Sequence, residues 1–478
     1  MTAAGTHCRS RRCQNCKELF MIITRSYLNR RRGIAAIVIA ALVLLLSGCR
    51  TDGTPEPGAG TATPSRTAAS TATVAPSASP TADVNATATA IQREENEQAL
   101  FENAEAEIKE VLMWLPPQFD PSLTDASGTA LAGLFAEIIE NHPKIKIAHR
   151  IKDTSGNASL INMLTVAASA APSALPALMI LDRNNMMTAV QKGLIFPIET
   201  KLFAEADSWF RYARESAVVD NVRYGIPVAG DPLVLVYRPA LTGPDMNNWE
   251  EILTRGLPIG FEPNNVTDLF GMFIYLSLGG KTKDEQGKPW IDQEILTQTL
   301  NFFLNGGQKG AFPPAIAKDA NVGQSWQQFT DGTMQITVAK LSQYRHNQRA
   351  DFTAIPIPLT DENGPYPLVN SWNVVVTTKD PELMAIAVEI AEAMASPEFN
   401  DQWTHASGYL PVRSGDLTDW KSDMAYDDIY RMSASASLLP GSNILSKLVP
   451  ILNSAISKVI LTAASPEAAA REAIEALK

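Results

Sequence analysis

Apolar residues recur through the middle of the chain with two distinct periods. Leu131, Leu134, Phe135, Ile138 and Ile139 are spaced three and four apart, which gathers them on one face of an α-helix, and Asn141-His142-Pro143 supplies its stop. Before this helix, the apolar run Ile108 to Leu115 reads as a buried strand that ends in the loop Pro116-Pro117-Gln118-Phe119-Asp120-Pro121. After it, Ile145, Ile147 and Ile151 alternate as a half-buried strand should. A second helix over residues 157–170 leads into a strand from Ala174 to Leu181. The order strand, helix, strand, helix, strand predicts an α/β layer with a mostly parallel sheet. In such sheets ligands collect beyond the carboxyl ends of the strands. Those ends carry Trp114 to Asp120 and Asp182-Arg183-Asn184-Asn185.

The N-terminal part follows neither period. An uncharged stretch of about 14 residues, Gly33 to Leu46, follows Arg30-Arg31-Arg32 and closes on Leu46-Ser47-Gly48-Cys49; a membrane-spanning helix needs roughly 20. This stretch resembles a bacterial lipoprotein signal, which implies that residues 1–48 are removed and that the Cys49 thiol carries a lipid. The alternative is a short membrane anchor with an incidental cysteine. Both leave the body outside the cytoplasm. His7, Cys8, Cys13 and Cys16 have a spacing that suits a metal, but that segment is too short to fold around one, and Met21 opens a signal of ordinary length. A start at Met21 is the simpler reading. Residues 49–90 are mostly Thr, Ala, Pro and Ser, too poor in large apolar groups to offset the entropy of ordering, and read as a flexible tether. Residues 91–107 read as a lead-in helix, and folding proper starts near Ile108.

Composition narrows the possibilities further. All four cysteines lie at or before Cys49, so the mature body has neither an internal disulfide nor a thiolate metal site. The chain has 40 basic and 51 acidic residues; eight and one of these fall in the first 48, which leaves 32 and 50 and a net charge of about −18. Such a body avoids nucleic acid and anionic lipid. Roughly 370 residues remain beyond the lead-in, more than one compact core usually holds, so two lobes are expected.

Several stretches carry a resemblance to a known family. They are Val111-Leu112-Met113-Trp114, Leu178-Met179-Ile180-Leu181-Asp182, Gln191-Lys192-Gly193-Leu194-Ile195-Phe196-Pro197-Ile198 and the run from Tyr224 to Tyr237 through Gly230-Asp231-Pro232. Asn248-Trp249-Glu250-Glu251-Ile252-Leu253, Leu278-Gly279-Gly280, Phe329-Thr330-Asp331-Gly332-Thr333-Met334, Ala354-Ile355-Pro356-Ile357-Pro358 and Gly408-Tyr409-Leu410-Pro411-Val412 follow. In this order, behind a lipoprotein signal, the chain resembles the extracellular solute-binding proteins of ABC importers, in the carbohydrate-receptor branch that includes maltose-binding protein. The resemblance implies two α/β lobes with a hinge crossed three times, near Ala229 to Leu233, Ile336 to Ala339 and Thr377 to Asp380. Lobe one would combine 108–229 with 337–376, and lobe two 230–336 with 377–478. A monomer would close on a small solute, most simply a mono- or oligosaccharide, and a membrane permease would read the closed shape.

A sugar presents hydroxyls at its rim and C–H groups on its flat faces, so its site needs carboxylates, amides and Arg forks around aromatic platforms. Asp182 and Arg183 match positions at which relatives place sugar-contacting groups, and Gln118 or Asp120 follows the first strand. Asp182 is equally suited to cap a helix, and Arg183 to sit exposed in its first turn. Asp231 lies at the first crossing, as a ligand contact or a hinge hydrogen-bonding group. Glu262, Asn264 and Asn265 form a polar loop after the strand Leu257 to Phe261, either facing the ligand or making an ordinary turn. Trp372 is the first choice for a stacking platform. Tyr344 and Arg345 follow the second crossing, in a stretch that also suits an amphipathic helix, and Trp403 and Tyr409, flanking the turn into Leu410-Pro411-Val412, either pack or look into the cleft, Tyr409 being kept as a contact. Trp114, Trp249, Trp326 and Phe329 read as core.

Catalytic constellations are not apparent. The body's histidines, His142, His149, His346 and His405, form no HExxH or other close metal-binding pair, and no P-loop or GxGxxG occurs. Gly323-Gln324-Ser325-Trp326-Gln327 lacks the second glycine of a nucleophile elbow, and Asp284 to Pro289 reads as a hairpin turn rather than a calcium loop. The expectation is therefore a receptor without cofactor or metal. A binding module for a sensor or adhesion role, or a tethered glycoside hydrolase, is the alternative.

Overall fold

The computed structural model describes residues 108–478, except 244–245, 247, 319–322, 361–365, 416, 424 and 478. The signal region, Cys49, the tether and the lead-in helix lie outside the described residues. The first apolar run forms β1 (Lys109–Leu115), which pairs in parallel with β2 (Ile145–Ile151) on one side and β3 (Leu178–Asp182) on the other. Helices Ala126–Asn141 and Leu160–Ala170 make the two crossovers. Asp125 starts the first of them, its carboxylate accepting the Gly128 N–H at 2.9 Å. The predicted face is buried at Leu131, Phe135 and Ile138, whereas Ile139, on the flank of that face, stays 38% exposed.

β4 (Val218–Val219) and β5 (Val222–Arg223) form a separate small hairpin. The next strand organises the molecule. β6 (Gly225–Tyr237) is buried along almost its whole length. Its first part, Gly225 to Pro232, pairs antiparallel with β10 (Tyr366–Val376), and its second part, Leu233 to Tyr237, pairs antiparallel with β8 (Ile336–Lys340) and β9 (Thr353–Pro356). Opposite Trp372 and Asn373 the register slips by one residue, at Val228 beside Pro227. A proline has no N–H for the ladder, and a bulge accommodates it. β7 (Ile259–Gly260) adds to β8 in parallel and β11 (Ala436–Leu438) to β10, giving the order β2-β1-β3-β10-β6-β8-β7. The sheet is thus mixed rather than mostly parallel, because β6 and β10 run against their neighbours.

Helices cover both sides and define the cores. One core gathers Met113, Phe119, Phe135, Trp372, Trp403 and Trp420, and a smaller one on the opposite face of β1 and β3 holds Trp114, Leu164, Met179 and Met186. The other main core is rich in aromatics, including Trp249, Phe261, Phe270, Phe303 and Phe312. Helix Ser442–Thr462 is long and apolar enough to cross a membrane, but its buried residues, among them Ile444, Leu448, Leu452 and Ile456, form part of this core.

Two of the expected crossings are displaced. β8 pairs with the far half of β6 and with β7, and the chain joins the first half of β6 only at β10, although Ala339, Leu341, Tyr344 and Phe352 already pack in the first core. Residues 377–380 are not a crossing either. Helices Pro381–Met394 and Pro397–Ser407 pack on β1, β10 and helix Ala126–Asn141, and bury Ile390, Met394, Phe399 and Trp403 in the first core. Ala387, Ile390, Ala391 and Met394 form a stripe spaced three and four apart, which seats the helix on the sheet that its preceding strand has just completed. After Leu368 the chain next contributes to the second core at Leu439.

Asn400 ties this arrangement to β6. Its side chain is 1% exposed; Nδ2 donates to the Val228 carbonyl at 2.8 Å and Oδ1 accepts from the Val412 N–H at 3.0 Å. Asn400→Leu leaves both backbone groups without a partner and is expected to lower stability by about 3 kcal/mol. Urea unfolding followed by far-UV circular dichroism measures this; an unchanged midpoint would show that the side chain is not a clamp.

Candidate functional site

The partner switch in β6 places a carboxylate at the junction of the two sheets. Asp231 is the penultimate residue before the switch and is almost fully buried. Its carboxylate accepts from Ser342, from N–H at 3.1 Å and from Oγ at 2.8 Å. Burial pushes its pKa up, and the positive charge of Lys340 acts in the opposite direction. Lys340 and Ser342 leave the end of β8 two residues apart, Lys340 standing opposite Leu233. A second strap comes from the other side. Gly230 and Leu410 exchange backbone hydrogen bonds at 3.1 and 2.7 Å, which brings Tyr409 beside Asp231. The Tyr409 hydroxyl reaches Ser342, and burial together with the Asp231 charge raises its pKa.

Aromatic rings continue from Tyr409. Trp403 stacks on Tyr409 with centroids 5.6 Å apart, Phe119 stacks on Trp403 at 4.4 Å and 14°, and Trp372 tilts against Phe119 at 6.1 Å. Trp372 stands on β10 between Asp182 of β3 and Ala229 of β6. The indole N–H groups of Trp372 and Trp403 and the Ser371 hydroxyl are buried without a partner. Such donors are costly unless something accepts from them.

Asp182 lies next in this row and caps helix Arg183–Gln191, accepting the N–H groups of Asn184 and Asn185, each at 3.0 Å. Burial raises its pKa, and Lys340 again acts to lower it, so one cation serves carboxylates on β3 and β6. Among the described residues Arg183 makes no ion pair; Nη1 lies 3.1 Å from Met187 Sδ, Nε is buried and unpartnered, and burial lowers its pKa against the opposing charge of Glu215. From the same helix Met187 reaches the start of helix Ser442–Thr462, its Cε lying 3.3 Å from where a Cβ on Gly441 would stand. Gln118 is half-buried in the turn beside Phe119.

Other expected residues are engaged elsewhere. Asp120 accepts from Ser122, from N–H at 2.8 Å and Oγ at 2.6 Å, and faces His149 at 3.8 Å. Glu262 accepts from Ser325 Oγ at 3.1 Å and from Asn265 Nδ2 at 3.0 Å, while Asn265 Oδ1 accepts from the Thr267 N–H at 3.0 Å. Asn264 donates to the Ala317 carbonyl and accepts from Ser457 Oγ at 3.0 Å. These three residues therefore knit a turn. Tyr344 is buried on helix Leu341–His346, where burial raises its pKa, and Arg345 pairs with Asp423 at 2.6 Å and lies over Trp420 at 5.1 Å. The sequence reading missed Phe119, Lys340 and Ser342 as members of the cluster. The usable signal was the pair Lys340 and Ser342, two apart at a strand end.

A cavity of about 1110 Å³ lies away from this cluster, between the segment Ile355 to Thr360 and helix Tyr426–Ser435. None of the expected ligand residues lines it. Convergent carboxylates, a cation and unpartnered indole donors make the Asp231 cluster the better candidate. Among the described residues no group of three or more His, Cys, Asp or Glu is placed to hold a metal.

Comparison with known proteins agrees with this architecture. Residues 142–426, more than half of the chain, match the family of bacterial extracellular solute-binding proteins, and the chain belongs to that family. No curated protein matches. Among solved structures, the sugar-binding protein MalE of Xanthomonas citri is 17% identical with a TM-score of 0.63, over 77% of this chain and 96% of that one. The GacH receptor of Streptomyces glaucescens, solved unliganded and with acarbose, is 18% identical with a TM-score of 0.61, over 77% and 97%. MalE of Listeria monocytogenes, solved with maltose, is 14% identical with a TM-score of 0.61, over 77% and 97%. The two-lobed fold of these binding proteins is the fold of this chain.

The turn that holds Glu262 carries a measurable signature. Asp268 accepts the N–H groups of Glu262 and Phe270, both at 2.9 Å, and burial pushes its pKa up to about 6. Its unfolded value is about 3.9. A raised carboxyl pKa contributes stability that is full below about 3.9 and is lost as the pH rises through the folded value. Asp268→Asn is therefore expected to gain stability relative to the parent between about pH 4 and 7, read from urea midpoints at each pH. A constant difference across that window contradicts the assignment.

Proposed function

We propose that this protein captures a carbohydrate between its two lobes and delivers it to the permease of an ABC importer. The observation that supports this best is the group at the sheet junction: Asp231, Asp182 and Lys340 beside the rings of Phe119, Trp372, Trp403 and Tyr409. Carboxylates and unpartnered indole donors suit hydroxyls, and the Trp372 ring, tilted rather than stacked on Phe119, suits the C–H side of a pyranose. Arg183 and Gln118 add donors at the same strand ends. The reading gains support from relatives of this fold that were solved with maltose and acarbose.

Ligand held by both lobes favours the closed state because only that state offers both sets of contacts. The protein works as a monomer and performs no chemistry on its solute. Cys49 carries the lipid, and the tether keeps the trap near its permease on the outer face of the membrane.

Three outcomes are expected. In a thermal-shift series over mono- and oligosaccharides, polyols, amino acids and peptides, a sugar raises the transition, with about 2.7 kcal/mol of stabilisation at 100 times its dissociation constant; a shift by peptides or polyamines alone rules out a carbohydrate receptor. Trp372→Ala binds that sugar at least tenfold more weakly, about 1.4 kcal/mol, while circular dichroism shows a folded chain. Unchanged affinity removes Trp372 from the site. Cys49→Ser moves the protein from the membrane fraction to the soluble one; continued sedimentation with membranes argues for a spanning anchor.

A further inference from the structure

A second cavity, of about 780 Å³, opens beside the hairpin β4–β5 and is lined by Phe203, Arg214, Glu215, Val218, Asp220 and Arg223 among others. None of these residues belongs to the group around Asp231. The hairpin turns through Asp220 and Asn221, with φ of 49° and 64°, the left-handed pair that a two-residue loop between twisted strands requires. The turn forms one wall and fixes Arg223 next to it. Helix Arg211–Ser216 brings Arg214 to the same cavity.

The two guanidinium groups are held but not neutralised. Arg223 lies flat against Phe203, Cζ 3.4 Å from the ring centroid, which removes much of its freedom without using its donors. Arg214 Nε and Arg223 Nη1 are shielded from solvent and have no acceptor among the described residues. Burial lowers the pKa of Arg223, the response of a cation that lacks a counter-charge. Of the two carboxylates at the rim, Glu215 is engaged by Arg211 at 2.8 Å, and Asp220 is exposed on the turn. The body as a whole is strongly acidic, so two unpaired arginines sharing one cavity stand out against its charge.

We propose that this cavity binds a small oxyanion, phosphate or carboxylate in type, between Arg214 and Arg223. A guanidinium presents up to five N–H donors in a planar fork that matches such oxygens two at a time. The negative field of the body opposes any anion at long range, so affinity comes from these short contacts and falls as salt competes.

The test is isothermal titration of the full mature chain with inorganic phosphate at constant ionic strength, with acetate as a second arm and chloride as reference. Saturable heat is expected with phosphate, acetate or both, and none with chloride. The arm that gives it identifies the preferred oxyanion. Arg223→Gln and, separately, Arg214→Gln should weaken binding at least tenfold while leaving the sugar-induced thermal shift of the cleft unchanged. Arg223→Lys, which keeps the charge and loses the fork, should fall between. Circular dichroism checks each fold, and Arg214→Gln carries the test if Arg223→Gln is unstable. No saturable heat up to about 10 mM of either anion, ten times a millimolar dissociation constant, overturns the proposal. So does unchanged binding in a folded glutamine variant.

Discussion

The antiparallel ladder of β6 is the constraint on which the rest depends. One strand serves two neighbourhoods, with β10 along its first part and β8 and β9 along its second. Every other element is placed relative to one of these halves. The helices after β10 seat on the first core because β10 itself belongs there, and the aromatic second core assembles around the strands that share Leu233 to Tyr237. A chain without cysteines in its folded part has no covalent staple for such a junction. Hydrogen bonds and buried apolar surface hold it instead, among them the Asn400 clamp and the Gly230 to Leu410 exchange.

The electrostatics of the candidate site follow from the same junction. Asp231 and Asp182 lie on strands that are covered on both faces, so water cannot solvate them fully and their pKa values rise. Local donors offset part of this: Ser342 for one, the helix N-terminus for the other. Lys340 supplies the opposing charge to both. Acceptors that are already organised lose less on meeting a neutral, hydroxyl-rich ligand than solvated carboxylates do, because there is less water to displace and less motion to arrest.

Periodicity made the first lobe legible. The stripe Leu131 to Ile139 and the alternation of Ile145 to Ile151 gave helix and strand near their observed bounds, since both are local signals of burial. The family pattern around Gly230-Asp231-Pro232 located the shared strand. The lobe boundaries were less legible. Nothing local in Thr377 to Asp380 says which sheet the next helix will cover; the stripe Ala387 to Met394 is equally good for either, and the choice is made by β10 pairing with a strand over 100 residues earlier. Site residues divide in the same way. Asp182 and Asp231 sit where chain direction forces them to sit. Glu262, Asn264 and Asn265 have the right chemistry, but their partners Ser325, Ala317 and Ser457 come from distant segments that no local pattern connects.

The position of the partner switch has a mechanical consequence. Between Pro232 and Leu233 the strand exchanges β10 for β8 and β9 as its partners, and Asp231 lies one residue from that point. In a rotation about this pivot, a group on the axis sweeps almost no arc, while groups far from it travel furthest. Asp231 would thus present the same face to an arriving ligand whether the lobes stand apart or together. The fulcrum would double as the first handhold, and the lever arms would decide how long the grip lasts.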